Sequence, residues 1–270
     1  MSIKLKKLIE VIENIAPLSL AEDYDNVGLM IGNEEADVSS ALITLDCTLD
    51  VIQEAIDKKV DLIISHHPLL FVKPKNVTEN SLQGKKMIKL IKNNINVYAS
   101  HTNLDCVAGG LNDIIVKLLG FTDSIILEKS PLQHVYKNSG IGRLVKLDES
   151  VDLFTLCELV KNRLGCPKIR CVGEMQWSIN KIAIINGSGE DYFHIAVKEG
   201  ADCIISGDST YHYASDMYEE QVALIDAGHF GTEWPAMKYF GSILENKCID
   251  MGAKVNFTIS QKNKDPYRYI

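Results

Sequence analysis

The chain alternates short blocks of continuous aliphatic residues with stretches in which apolar positions recur every three or four residues. In the opening segment Leu5, Leu8, Ile9, Ile12 and Ile15 share one helical stripe that Pro17 stops, so an amphipathic helix opens the fold. After a Gly/Asp/Asn-rich turn region, "ALITLD" (41–46) reads as a buried strand, "LDVIQEAIDKK" (49–59) as a helix and "VDLIIS" (60–65) as the next strand. That order is a β-α-β unit.

The second half repeats this grammar. "KIAIIN" (181–186) is a strand, "EDYFHIAVKEG" (190–200) a helix, and "ADCIISGD" (201–208) a strand with the same Ile-Ile-Ser found at 63–65. Each half continues to a third strand, "INVYAS" (95–100) and "QVALIDA" (221–227), and each of those is followed by a histidine. A shared tripeptide could be coincidence in Ile-rich strands, but a shared element order argues for an internal duplication. The fold class expected is therefore α/β, with two similar domains. Pro, Gly, Asn and Ser accumulate over 130–150, which places a boundary near 122–138. Residues 1–125 with about 234–270 would form the first domain and 130–233 the second, the strand "KVNFTIS" (254–260) returning to the first.

Composition narrows the function classes. The 270 residues are 46% hydrophobic and 24% charged, as in an ordinary globular protein with a real core. With 28 Lys+Arg against 36 Asp+Glu the net charge is −8, which makes a nucleic-acid partner unexpected, because phosphate tracking needs clustered cations. The basic runs at 4–7 and 84–94 read as solvated helix faces. Seven cysteines without a C-x-x-C pair suit free, reduced thiols. No stretch has the apolar core of a signal peptide or the ~20 apolar residues of a membrane span, so a cytoplasmic location without membrane contact is expected.

The chemistry sits at strand ends. "DLIISHHPLLF" (61–71) ends a buried run on His66 and His67 before Pro68, and the carboxyl ends of parallel strands are where ligands bind in open α/β sheets. Capping of loop backbone is the structural alternative for this pair. Two further strand ends add Asp105, and His229 with Glu233. Three imidazoles and two carboxylates are more ligands than one ion needs and suit two ions about 3.5–4 Å apart. Gly231 and Pro235 would keep His229 and Glu233 on a turn entering a helix, where a first-turn acid is also favoured by the helix dipole. His101, four residues before Asp105, could be a reserve ligand, a proton shuttle or a structural histidine. His212 takes the place of the paired histidines in the second half and, with Asp208 and Tyr211, could line a substrate cavity or simply lie on a surface loop. The turn "NGSGED" (186–191) is a weak anion site that lacks both phosphate-loop patterns.

"APLSLAEDYDNVGLMIG" (16–32), "LDCT" (45–48), "SHHPLLF" (65–71), "SHTNLD" (100–105), "SGDSTYH" (206–212) and "GHFGTEW" (228–234), in this order, resemble the GTP cyclohydrolase I type 2 family, also called the Nif-three-like or dinuclear-metal-centre family. The length is similar to its short bacterial form. The resemblance implies two facing α/β domains with a dinuclear metal site between them, in a homohexameric ring. It also implies ligand roles: His67 and Asp105 on one divalent ion, His66 and His229 on the other, Glu233 bridging both. The His/carboxylate set suits Zn, Fe, Mn, Co or Ni.

The activity so implied is metal-dependent hydrolysis that opens the purine ring of GTP by attack of hydroxide at C8, with His101 or His212 as the catalytic proton donor. No base- or triphosphate-specific motif is visible in the chain, and such a site would serve a two-metal phosphoesterase or another cyclic-amide hydrolysis equally well. A metal-storage, metal-delivery or regulatory scaffold without turnover is the non-enzymatic alternative.

Overall fold

The computed structural model describes residues 2–268 and divides into two compact units, one of residues up to Leu104 with Met237–Lys264, the other of Asp105–Ala236 with the residues from Asp265 on. The first begins with β1 (Ile3–Lys4), α1 (Leu5–Ile15), β2 (Gly28–Ile31), β3 (Asp37–Val38) and β4 (Ser40–Thr44). It continues through α2 (Leu49–Asp57), β5 (Leu62–Ser65), α3 (Leu82–Lys92) and β6 (Asn96–Ala99). Helix α1 buries Leu5, Leu8, Val11 and Ile12, whereas Ile9 and Ile15 stay half-buried at the margin of the stripe. Both crossover helices start on hydroxyl caps: Thr48 Oγ1 accepts from Val51 N at 3.2 Å and Ser81 Oγ from Gly84 N at 3.0 Å, which satisfies amide groups that a first turn leaves open. Between sheet and helices Leu42, Val51, Ile52, Ile63, Leu90 and Val97 form a core.

The chain then runs through α4 (Thr102–Cys106), α5 (Leu111–Leu119), β7 (Ile125–Lys129), β8 (Gly140–Asp152), α6 (Leu153–Leu164), β9 (Arg170–Val172) and β10 (Ser178–Ser188). It closes the second unit's sheet with α7 (Phe193–Lys198), β11 (Cys203–Gly207), α8 (Tyr211–Glu219) and β12 (Ala223–Asp226). The strand order is β7-β8-β10-β11-β12-β9, with β10, β11 and β12 parallel and the other three antiparallel to their neighbours. The division falls at Leu104/Asp105, ahead of the 122–138 region that the composition suggested. The reason is that α5 packs on β8, β10 and α6, and β7 pairs with β8.

Helix α9 (His229–Asp250) and β13 (Asn256–Ile259) complete the chain. Strand β13 pairs in parallel with β4, so the first unit's sheet has the order β13-β4-β5-β6-β2 with only β2 antiparallel. Each unit is thus built on three consecutive parallel strands with an antiparallel strand beside the third, and the two Ile-Ile-Ser tripeptides lie in the middle strands β5 and β11, fully buried. Pro235 does not delay α9: the helix starts at His229 and passes through it, which corrects the expected turn. A proline at this point removes one backbone bond, to the carbonyl of Gly231. Burial of Ala236, Met237, Phe240 and Leu244, all at 0% exposure, outweighs that loss, since tertiary packing supplies most helical stability. Among the described residues no helix is long and apolar enough to cross a membrane.

Candidate metal centre

In the first unit the carboxyl ends of β4, β5 and β6 bring Asp46, His66, His67 and His101 together. His66 is fully buried, and its Nδ1 lies 2.8 Å from the Ser100 carbonyl oxygen. His67 Nδ1 lies 2.8 Å from Asp46 Oδ1, and His101 Nδ1 lies 3.0 Å from Asp25 Oδ1. A carbonyl or carboxylate oxygen only accepts, so each of these Nδ1 atoms carries the proton and the neutral ring has its lone pair on Nε2. The three rings stand 5.0–5.5 Å apart, centroid to centroid, and each offers a ligand atom within 4.8 Å of the other two. Asp25 also accepts from Thr102 N at 3.1 Å and Thr102 Oγ1 at 2.5 Å. Burial works against its charge, but the bonds from His101 and Thr102 hold the carboxyl well below the usual carboxylate range.

In the second unit the ends of β10 and β11, the start of α9 and Asp105, which lies in the short helix α4 and not at a strand end, assemble the acidic part. Asp105 and Glu233 are buried, and the Asn186 amide serves both, donating to Asp105 Oδ1 at 2.7 Å and to Glu233 Oε1 at 3.3 Å. Asn112 holds this arrangement from behind: its Nδ2 donates to the Asp105 carbonyl at 3.1 Å and its Oδ1 accepts from Asn186 N at 3.2 Å. Glu233 Oε2 lies 3.0 Å from His229 Nε2, while His229 Nδ1 lies 2.8 Å from Asp208 Oδ2. The close approach needs glycine at 187, where φ is +57° and a Cβ would meet Glu233 Oε1 at 2.3 Å. Gly207 is similar, since a Cβ there would lie 2.6 Å from the His229 nitrogen.

These donors fit hard-to-borderline divalent ions. A nitrogen and an oxygen 3.0 Å apart are close to the roughly 3.3 Å between two ligands that share one tetrahedral ion at 2.0–2.1 Å. Rings turned by an oxygen on Nδ1 are the usual support of ligating histidines, and Ser100, Asp46, Asp25 and Asp208 provide it four times. Two buried carboxylates that share the Asn186 amide are oxygen donors of the kind that, with imidazole, suits divalent ions.

The model of the Duf34/NIF3 family (NGG1p interacting factor 3) matches residues 3–266. The chain belongs to this family. It is 50% identical to a GTP cyclohydrolase 1 type 2 homolog of Clostridium acetobutylicum over 269 residues, 100% of both chains. It is 45% identical to a protein of the same description from Clostridium perfringens, covering 99% of this chain and 100% of the relative. Among solved structures, a hypothetical protein of Staphylococcus aureus superposes with a TM-score of 0.91 at 32% identity, covering 99% of each chain.

In this Duf34/NIF3 chain the expected ligands fall into two groups, His66 and His67 in the first unit and Asp105, His229 and Glu233 in the second. His101 joins the first group through its ring contacts. His212 joins neither: it is exposed in the first turn of α8, with its ring 5.6 Å from that of Tyr211. Two residues that the sequence did not single out are Asp46 and Asn186. Their signal was position alone, a polar residue where an aliphatic strand run ends, and "NGSGED" works through its asparagine and first glycine.

Proposed function

We propose that the protein is a metal-dependent hydrolase whose His66, His67, Asp105, His229 and Glu233 hold two divalent ions. His67 and Asp105 serve one, His66 and His229 the other, and Glu233 both. The observation that supports this most directly is the orientation of the rings: His66, His67 and His229 each have Nδ1 on an accepting oxygen, which leaves Nε2 as the lone-pair atom of His66 and His67 and sets His229 Nε2 against the Glu233 carboxylate. Glu233 is the natural bridge because two dications a few ångströms apart repel strongly and need an anion between them. When bound, such ions supply a water acidic enough to act as hydroxide near neutral pH, and positive charge where an oxyanion develops.

The chain's own groups do the rest. Asp46 and Asp208 keep His67 and His229 turned to the ions. His101, with Asp25 behind it, takes or gives a proton at Nε2, because the Asp25 carboxylate accepts from Nδ1 and so fixes the ring's orientation and tautomer. His212 is the second proton-transfer candidate and, exposed on α8, the weaker one. The substrate class we propose follows the Clostridium relatives, described as GTP cyclohydrolase 1 type 2 homologs: a nucleotide of the GTP type, whose purine ring opens hydrolytically as His101 protonates the leaving nitrogen. Self-association, as a hexameric ring, belongs to the same proposal; light scattering that gives a monomer at micromolar concentration would count against it.

The deciding experiment combines elemental analysis with turnover assays on nucleotides and phosphodiesters. Glu233→Ala should lose both ions, whereas His67→Ala should chiefly lose one. A Glu233→Ala protein with two ions per chain overturns the bridge. Metal-dependent turnover of phosphodiesters alone assigns a phosphoesterase, and full metal content without turnover assigns a delivery or regulatory scaffold.

A further inference from the structure

The loop after the paired histidines has a feature that metal binding does not use. Phe71 is 49% exposed, yet its ring stands 6.3 Å from that of His101 at an interplanar angle of 81°. The loop around it is fastened on both sides. Asn26 Nδ2 donates to the Leu70 carbonyl at 2.7 Å, and Gln83 Nε2 donates to the Val72 carbonyl at 3.1 Å. The backbone on either side of Phe71 is thus held from two different segments.

The segment that supplies Asn26 also carries Asp25, the hydrogen-bond partner of His101, and Tyr24, which is 68% exposed. Two loops with exposed aromatic residues therefore reach the same histidine, one through Asp25 and one through Phe71. A T-shaped contact occupies at most one face of the phenyl ring, and an aromatic face is sequence-tolerant stacking surface for any planar base.

We propose that Phe71 is the stacking wall for the planar heterocycle of the substrate, a purine base, placing that base beside His101. This rests on the hydrolase reading above and adds to it the subsite that selects an aromatic ring. Phe71 acts by positioning; the ring transfers no proton and holds no ion.

Calorimetric titration of the purified protein with GTP, guanosine and inorganic triphosphate tests the proposal, using Phe71→Ala, Phe71→Leu and Phe71→Trp. An exposed residue can be exchanged without loss of the fold, which thermal melting verifies. Ala and Leu should weaken GTP and guanosine binding about 5- to 150-fold, the equivalent of the ~1–3 kcal/mol that one stacked base contributes. Trp should retain it, and triphosphate affinity should be the same in all four proteins. Wild-type affinity for GTP in Phe71→Ala or Phe71→Leu overturns the proposal, as does an equal loss for triphosphate. So does a wild-type protein that binds neither GTP nor guanosine below millimolar concentration. Phe71-dependent binding without turnover leaves the stacking wall standing and overturns only the hydrolase reading.

Discussion

Gly187→Ala isolates how the second unit holds its carboxylates. The backbone there has φ +57°, and an added Cβ would lie 2.3 Å from Glu233 Oε1 and 3.2 Å from its Cδ. The left-handed conformation alone costs an alanine about 1–2 kcal/mol. Glu233, 3% exposed, must also move, which gives up the 3.3 Å bond from Asn186 and the 3.0 Å contact with His229. Leaving buried polar atoms unsatisfied costs a further ~1–3 kcal/mol. The sum of about 2–5 kcal/mol lowers the melting temperature by roughly 4–20 °C in a chain of this size. Gly200→Ala is the matched control, because φ is +73° and nothing lies within 4 Å of the added carbon; it should lose roughly 2–8 °C through strain alone. Melting of the three proteins by circular dichroism, with metal content measured on the same samples, reads both consequences. If Gly187→Ala melts with Gly200→Ala and keeps wild-type metal content, Glu233 is not held as described and the reasoning fails.

Asn186→Leu removes the donor shared by Asp105 and Glu233; metal affinity in chelator competition should fall about 10–100-fold, and an unchanged affinity would deny the amide its role. Glu54 accepts from Lys58 Nζ, Ser260 Oγ and the backbone N–H groups of Gln261 and Lys262. Burial opposes its charge, but these bonds hold the carboxyl below its ordinary value of 4.5. Because the folded value is the lower one, this stability is complete above the unfolded value and is lost as pH falls through the folded value. Glu54→Gln should therefore melt below wild type at neutral pH, with the gap closing as the pH falls below the ordinary value of 4.5; a constant gap contradicts the assignment. Cys171, partly exposed, receives a 3.6 Å contact from the buried Cys157 Sγ that lowers its pKa, whereas burial pushes Cys47 up to about 12 and Cys166 to about 11. Iodoacetamide on the folded protein should label Cys171 first, since thiolates react; peptide mapping that finds Cys47 or Cys166 ahead of it refutes the ordering.

Element type was legible because it is a local property. Continuous aliphatic runs bounded by turn residues became β4, β5, β6, β10, β11 and β12, and 3.6-residue periodicity became α1 and α2. The histidines were legible for a related reason: a polar pair closing a buried run, as at His66 and His67, has few other places to be than a strand's carboxyl end. The repeated Ile-Ile-Ser foretold a repeated sheet, and both copies occupy the middle strand of a parallel three.

Tertiary structure alone decided what depends on partners distant in sequence. Asn186 binds carboxylates 81 and 47 positions away, and Asp46 binds a histidine 21 positions away; nothing in a turn-forming "NGSGED" or a strand-end aspartate announces such partners. Helix α5 joined the second unit because its apolar face is buried on β8 and β10, contacts that no local boundary signal encodes. Pro235 sits inside α9 for the same reason, the packing of Ala236, Met237, Phe240 and Leu244 outweighing one missing backbone bond. Local pattern decides which residues can form an element and carry chemistry; burial and hydrogen bonding between distant segments decide which of them meet.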